Sequence, residues 1–278
     1  MEIDCSISFF FSYILWEMIN IQFKIGDVVS RNSYQNDIFF KIIDIHNDIA
    51  FLTGIDYRLY ADASVSDLKI ETHESDDYSI LERNLKDIDI DRDSYFYLPG
   101  KILHIDGDND YLDRCMNFYH YLGIHANGIT ILEKDISSNI YSLLTDYRPD
   151  IVVITGHDAF FSKKKDIQDI HNYENSSNFI KAIQEARRYE KNQDKLIIIA
   201  GACQSNYESL IRAGANFASS PKRINIHALD PAILATSLAF SDRNQSIDLL
   251  KLIGKTKYGS DGIGGNITNG TMYVGYPR

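Results

Sequence analysis

Cysteine is scarce in this chain and widely spaced. The three cysteines, Cys5, Cys115 and Cys203, include no Cys-x-x-Cys pair. An odd number of distant cysteines excludes a disulfide scaffold and a zinc knuckle, and it fits a reducing compartment. Proline and glycine are also few, at 5 and 16 residues. This composition excludes a collagen-like protein and a chain made mostly of linkers.

Positive charge is in deficit. The 28 Lys and Arg residues face 39 Asp and Glu residues, and the formal net charge is −11. This acidic balance argues against bulk nucleic-acid binding, so we expect no nucleic-acid partner. Hydrophobic residues occupy 44% of the 278 positions, which is enough for a folded core. The length suits one large domain or two smaller ones.

A long hydrophobic run is missing as well. The most apolar stretch, residues 7–19, is interrupted by Glu17. It is shorter than the roughly 18 to 20 residues that a spanning helix needs. It also lacks the basic leading region and the small-residue cleavage site of a secretory signal. We therefore expect no stable membrane insertion. Residues 1–20 are interpreted as an N-terminal extension, either an added helix or an over-extended start before Met18.

Two segments precede the main body of the chain. Short runs rich in Val, Ile, Phe and Tyr fill residues 21–70, with turn residues such as Asn47 and Asp48 between them. This spacing predicts a small all-β barrel of the SH3-like type. Residues 71–99 are dense in acids and weakly periodic, which predicts an exposed acidic linker with one helix in the sequence SILERNLKDI.

Residues 100–278 have a different pattern of apolar residues. Apolar runs without polar alternation, KILHIDG, DIVVITGHD and KLIIIAGACQS, alternate with helical segments. Such runs are typical of a parallel sheet covered on both faces. The predicted fold class is α/β, a mostly parallel sheet with flanking helices that follows a small all-β barrel. We also expect strands over 129–134 and 224–228, and we expect loops or a terminal hairpin after residue 257.

Function in an open α/β sheet gathers at the carboxyl ends of the strands. The first of these apolar strands ends in Asp106 and Asp108, the second in His157, and the third in Cys203. A thiolate is a strong nucleophile, and a nearby imidazole can take the thiol proton and later protonate a leaving amine. The alternatives are a buried apolar cysteine and a loop histidine bonded to a carbonyl.

Other residues of the sequence are weaker candidates than this pair. His227 follows the expected strand over 224–228 and is the reserve candidate for the base. Cys115 falls inside a predicted helix and is interpreted as core. His104 lies within a strand rather than at its end, so we expect neither a metal nor another cofactor. The Lys163–Lys165 run predicts an exposed loop beside the site, and the glycine-rich GSDGIGG stretch predicts a substrate-facing loop.

The blocks TGHD and AGACQS, whose His and Cys are 46 residues apart, resemble the His and Ala-Cys blocks of the caspase-like cysteine peptidases. That clan includes caspases, clostripain, gingipains and separase. Its catalytic His is usually followed by Gly, where this chain has Asp158. The resemblance implies a caspase-like fold for residues 100–278. The positions around His157 and Cys203 themselves suggest an oxyanion hole from backbone N–H groups at Gly156, Asp158 and Cys203.

A longer resemblance covers the chain from about residue 24 onward. The stretches GDVVSRNSY, LHIDGDNDYLDRC, DIVVITGHDAF, LIIIAGACQSNYESLIRAGANFASSPKRINIHALDP and GSDGIGGN are similar to the YabG family of sporulation-specific cysteine peptidases. The family implies an Arg-preferring, self-processing endopeptidase in the mother-cell cytoplasm of a sporulating bacterium, associated with the spore coat. Its implied partners are spore coat and cortex-associated proteins. Carried over, Cys203 is the nucleophile and His157 the base.

Arg preference requires a carboxylate in the primary specificity pocket, because guanidinium pairs with carboxylate in a bidentate geometry. In the Arg-specific gingipains this acid lies upstream of the catalytic His, and Asp106 and Asp108 stand in the corresponding place. Asp158 and Asp261 are further candidates. Helix capping or a loop turn is the alternative role for each of the four acids.

Two non-enzymatic alternatives remain open from the sequence. A phosphorylation-receiver domain shares the alternating pattern and the early acids, but it needs an Asp at the end of its central strand, where Thr155, Gly156 and His157 stand. A structural spore-coat component with an adaptor barrel is the second alternative.

Overall fold

The computed structural model describes residues 23–73, 78–79, 82, 95–161 and 166–275. Its chain divides into two compact units. The described residues up to Ile55 and those from 60 to 73 form the first, and Asp56–Leu59 with the later residues form the second. The predicted extension over 1–20, most of the predicted linker helix, and Lys163–Lys165 lie outside the described residues.

The first unit is an antiparallel sheet. Its strands are β1 (Val28–Arg31), β2 (Phe40–His46), β3 (Ile49–Gly54), β4 (Tyr60–Ser64) and β5 (Leu68–Ile70). They pair in the order β4-β3-β2-β1-β5. Alternate residues such as Phe40, Ile42 and Leu52 are buried, which gives the sheet one apolar face. Asn47 and Asp48 both have positive φ and form the tight turn between β2 and β3, where the sequence predicts a turn.

The second unit is built on a six-stranded sheet with helices between its strands. In chain order its elements are β6 (Phe96–Leu98), β7 (Ile102–Asp106), α1 (Asn109–Tyr121), β8 (Ala126–Thr130), α2 (Glu133–Tyr147), β9 (Ile151–Thr155), α3 (Ser176–Tyr189), β10 (Ile197–Ala200), α4 (Tyr207–Ala213), β11 (Phe217–Ser219), α5 (Asp230–Ala239), α6 (Leu249–Ile253), β12 (Ile263–Gly265) and β13 (Tyr273–Gly275).

The sheet order is β12-β11-β10-β9-β7-β8, and β7 to β11 are parallel. β12 joins one edge antiparallel to β11, and β13 pairs with β6 outside the sheet. Neighbouring residues of each central strand are buried on opposite faces, one against α1, α5 and α6 and the other against α2, α3 and α4. The predicted fold class, an antiparallel β region followed by a mostly parallel sheet with flanking helices, is confirmed.

Details of the elements differ from the prediction. The strand expected over 129–134 ends at Thr130, and α2 already begins at Glu133. The segment 224–228 forms only an isolated bridge, between His227 and Tyr57, instead of a strand. Helix α5 was not predicted, because all of its residues are buried and its sequence has no polar face. The glycine-rich tail supplies β12, an edge strand of the main sheet.

Candidate active site

The chain reverses its direction of travel across the sheet between β7 and β9. β8 lies on one side of β7, and the later strands β9 to β11 lie on the other. Crevices for ligands form at such a point, outside the carboxyl ends of the two strands. Asp106 at the end of β7 is the register partner of Thr155 at the end of β9, and Ile154 is the partner of Ala200 in β10. The residues that follow these strands therefore share one rim.

His157 is held from several directions. Its Nε2 lies 3.0 Å from Oδ2 of Asp108. Its backbone N–H donates to Glu133 Oε1 at 2.7 Å, and its carbonyl accepts from the Asn175 side chain at 3.0 Å. The ring also meets Tyr111 edge-on, with centroids 5.7 Å apart. Asp108 in addition caps α1 by accepting from the Asp110 backbone, so the helix start and the imidazole share one carboxylate.

Cys203 follows β10 and is 1% exposed. Its Sγ lies 3.8 Å from the carbonyl oxygen of Ile226. Burial raises the pKa of the Cys203 thiol to about 11, although the positive charge of Arg58 and a backbone hydrogen bond with that residue oppose the rise. The thiol is therefore protonated at neutral pH in this arrangement, and its use as a nucleophile requires a base.

Asp106 is fully buried and surrounded by donors. It accepts from Thr155 Oγ1 at 2.8 Å and from the Asp108 backbone N–H at 3.0 Å, and it forms an ion pair with the Arg58 guanidinium. Burial alone raises the pKa of Asp106, but the charge and hydrogen bond of Arg58 and the contact with His104 together outweigh burial and hold that pKa well below its usual range. The carboxylate is thus a negatively charged receptor that holds a guanidinium.

Asp158 is also buried, but its partners are neutral. Its two oxygens accept from the backbone of Ala159 and Asn175 and from the hydroxyls of Ser176 and Ser205. Burial raises the pKa of Asp158. Ser205 Oγ accepts in turn from the Ala202 backbone at 2.9 Å. This carboxylate joins the loop after His157 to the start of α3 and to the turn that contains Cys203.

The remaining predicted site residues are His227, Asp261 and the oxyanion donors. His227 accepts from the Leu229 backbone through Nδ1, and its Nε2 lies 3.8 Å from Asp56 Oδ1. Asp261 is exposed in a short 3-10 turn between α6 and β12. Near the predicted oxyanion donors, the Gln204 backbone N–H is bonded to Ile224 and Ser220. Oxyanion binding by Gly156, Asp158 and Cys203 stays a prediction.

Sequence reasoning did not find Arg58, Glu133, Tyr111 or Ser205. Glu133 had one indirect signal, the glycines at positions 107 and 156 that follow the two strands. A Cβ at either position would lie 2.3 Å from Glu133 Oε1, so both strand ends must be glycine for this carboxylate to approach. Arg58 gave no signal, because it lies in a segment that reads as an ordinary strand.

Within the described part of the chain, no three His, Cys, Asp or Glu side chains are grouped as metal ligands. None of its helices is long and apolar enough to cross a membrane.

Comparison with known proteins agrees with the resemblance seen in the sequence. A family model described as YabG peptidase U57 matches residues 24–88 and 76–277. The sporulation-specific protease YabG of Bacillus subtilis (strain 168) is 41% identical over 286 residues, which cover 92% of this chain and 99% of that protein. Both matches include the rim that carries His157 and Cys203. The chain therefore belongs to the YabG peptidase family and is a sporulation-associated protease.

Proposed function

We propose that this protease is a cysteine endopeptidase of caspase-like fold that cleaves after Arg. Cys203 is the nucleophile, His157 is the general base and acid, and no cofactor takes part. The observation that carries the proposal is the pair of Arg58 and Asp106, a guanidinium bound to a buried carboxylate. The backbone of the same Arg58 is hydrogen-bonded to Cys203. Membership of a peptidase family favours this function over the receiver and coat-adaptor alternatives.

The primary specificity pocket is the space that Arg58 fills. Asp106 supplies the charge, and the Tyr111 ring lies 5.0 Å from the guanidinium carbon. The Ala228 carbonyl accepts from Nη2 at 3.4 Å. A planar guanidinium can use the carboxylate, the ring face and the carbonyl together, whereas a lysine ammonium is a point charge without the planar fork. This geometry supports a preference for Arg over Lys.

His157 has the geometry of a base with a fixed tautomer. The Asp108 carboxylate beside Nε2 favours the proton on that nitrogen, which leaves the lone pair on Nδ1 to accept the thiol proton of Cys203. The resulting thiolate attacks the carbonyl carbon after Arg, and the imidazolium protonates the leaving amine. A water molecule then hydrolyses the thioester. Asp108 is a positioning residue in this scheme.

The substrates are proteins of the developing spore, in the coat and around the cortex, and the mother cell is the compartment. The sporulation-specific name of the Bacillus subtilis relative supports this part of the proposal.

A paired digestion tests the function. Purified wild type, Cys203→Ala and Cys5→Ala are incubated with an Arg-containing reporter protein, and the fragments are mapped by mass spectrometry. The expected result is cutting after Arg by wild type and Cys5→Ala, and none by Cys203→Ala. Equal cutting by all three proteins would remove Cys203 from the mechanism, and cutting after other residues would remove the Arg preference.

A further inference from the structure

The Arg58 side chain comes from a short segment, Asp56–Leu59, which belongs to the second unit although the described residues on either side of it belong to the first. Because Arg58 fills the proposed specificity pocket, the residues just before it mark the path that a substrate takes ahead of its own Arg. Asp56 stands two positions before Arg58. The contacts of Asp56 therefore describe the place that receives the substrate residue two positions before Arg.

The backbone of the segment is held as an extended peptide is held. Tyr57 forms an antiparallel bridge with His227, and the Ala228 N–H donates to the Asp56 carbonyl at 2.8 Å. The Tyr111 hydroxyl donates to the Tyr57 carbonyl at 2.7 Å. These bonds use only main-chain atoms of the segment, so a substrate of any sequence can form them. In strand addition of this kind the main chain gives affinity, and the surroundings of the side chains give specificity.

The Asp56 side chain lies against two basic side chains. Its Oδ1 accepts from Arg114 Nη2 at 2.8 Å, and His227 Nε2 lies 3.8 Å from the same oxygen. Arg114 is carried by α1, and His227 lies in the chain between β11 and α5, so two separate elements converge on one carboxylate. The Arg114 and His227 side chains are only 14% and 16% exposed, so solvent and salt screen this interaction less than they screen a surface ion pair.

The charge of this place is opposite to that of the deep pocket. Asp106 makes the pocket negative, whereas Arg114 makes the neighbouring place positive. We propose that Arg114 and His227 form a second specificity subsite, which selects protein substrates that carry Asp or Glu two positions before the Arg. A basic residue at that position would put like charges together in a half-buried site, so the subsite also rejects such substrates. This inference rests on the proposed function.

The test uses three Arg reporter peptides that differ only two positions before Arg, where they carry Glu, Ala or Lys. The kcat/KM of each peptide is measured with wild type, Arg114→Gln, Arg114→Glu and the matched control Arg188→Gln, whose exposed side chain pairs with Glu185. Wild type and the control should cut the Glu peptide about tenfold faster than the Ala peptide, because an ion pair here carries a charge-assisted hydrogen bond. The Lys peptide should be the slowest. Arg114→Gln should lose most of the preference for Glu, and Arg114→Glu should favour Lys instead.

The outcomes separate this inference from the proposed function. Equal cutting of the three peptides after Arg by wild type would overturn the inference alone. A preference for Glu that is unchanged in both Arg114 variants would overturn it as well. Cutting after residues other than Arg, or no cutting of any peptide by wild type, would overturn the proposed function and this inference with it. The comparison of peptides on wild type does not depend on whether any variant folds.

Discussion

Two buried carboxylates stand at neighbouring strand ends of the second unit, and the structure treats them in opposite ways. Asp106, at the end of β7, is paired with a guanidinium, which holds its pKa well below the usual range. Asp158, three residues after the end of β9, is bonded only to neutral hydroxyls and backbone N–H groups, and burial raises its pKa. Two buried carboxylates therefore have opposite charge preferences, because their partners differ in charge.

The difference in partners gives the two carboxylates different roles. A buried carboxylate is stable as an anion when a cation faces it, so Asp106 suits a pocket that binds Arg side chains. Asp158 joins three loops through neutral donors, and its value is positional: it fixes the turn in which Cys203 sits. Both acids were candidates for the Arg pocket in the sequence, and only their partners distinguish them.

Removing the charge of Asp106 is expected to have the largest effect. In Asp106→Asn the pocket keeps its shape but loses the ion pair, so kcat/KM for cleavage after Arg should fall on the order of 100- to 1,000-fold. Steady-state kinetics with an Arg reporter measures this. Asp146→Asn, on the exposed side of α2, is the control and should match wild type. Retained cleavage by Asp106→Asn, with loss in Asp261→Asn instead, would place the pocket elsewhere.

The sequence could predict that Asp106, His157 and Cys203 share one edge of the sheet, but it could not predict that Arg58 binds there. Uninterrupted apolar runs end before Asp106, His157 and Cys203, and parallel strands bring such ends to one edge, so the neighbourhood follows from local pattern. Arg58 is different. It lies 48 residues before Asp106, in a run that alternates like any half-buried strand, and nothing local signals that its side chain is buried. Long-range pairing of this kind depends on tertiary structure.

The role of Asp108 was hidden for a related reason. An Asp three residues before a predicted helical run is an ordinary N-cap, and its contact with His157 comes from a residue 49 positions away. A cap and a histidine partner use different oxygens of the same carboxylate, so local pattern predicts only the first. Glu133 likewise reaches His157 across the sheet from the start of α2.

The second prediction concerns Asp108. Asn caps a helix about as well as Asp does, so Asp108→Asn should keep α1 and leave Tm nearly unchanged. It should lower kcat by about 100-fold, because an amide no longer fixes the imidazole tautomer. Asp248→Asn, which changes the N-cap Asp of α6 in the same way, is the matched control for capping. A loss of Tm in Asp108→Asn without a loss of kcat would assign Asp108 to capping alone.

The third prediction tests whether Asp158 stabilises the fold without contributing to the Arg pocket. Asp158→Asn cannot accept from all four donors, so a buried donor is left unsatisfied and the free energy of unfolding should fall by about 1–3 kcal/mol. The preference for Arg over Lys in the reporter should not change. Urea unfolding gives the first quantity and paired Arg and Lys substrates give the second. An altered Arg-to-Lys ratio with unchanged stability would make Asp158 part of the pocket.

The smallest effect is a pH dependence that arises from the same residue. Because the folded pKa of Asp158 is raised, the native state keeps this proton to higher pH than the unfolded chain does. The stability contributed by protonation is therefore present below the ordinary Asp pKa of about 4 and is lost as pH rises through the raised value. Asp106 has the opposite sign, since its stability is lost as pH falls.

Urea unfolding across pH 4–8 tests this contrast. Asp158→Asn should lose less stability than wild type as pH rises, so the difference between the two proteins shrinks toward pH 8. The exposed control Asp146→Asn should run parallel to wild type. A constant difference between Asp158→Asn and wild type over the range would mean that Asp158 ionises at its ordinary pKa. In that case its neutral partners would offset the cost of burying the anion, and burial without a charged partner would not favour the protonated acid at this site.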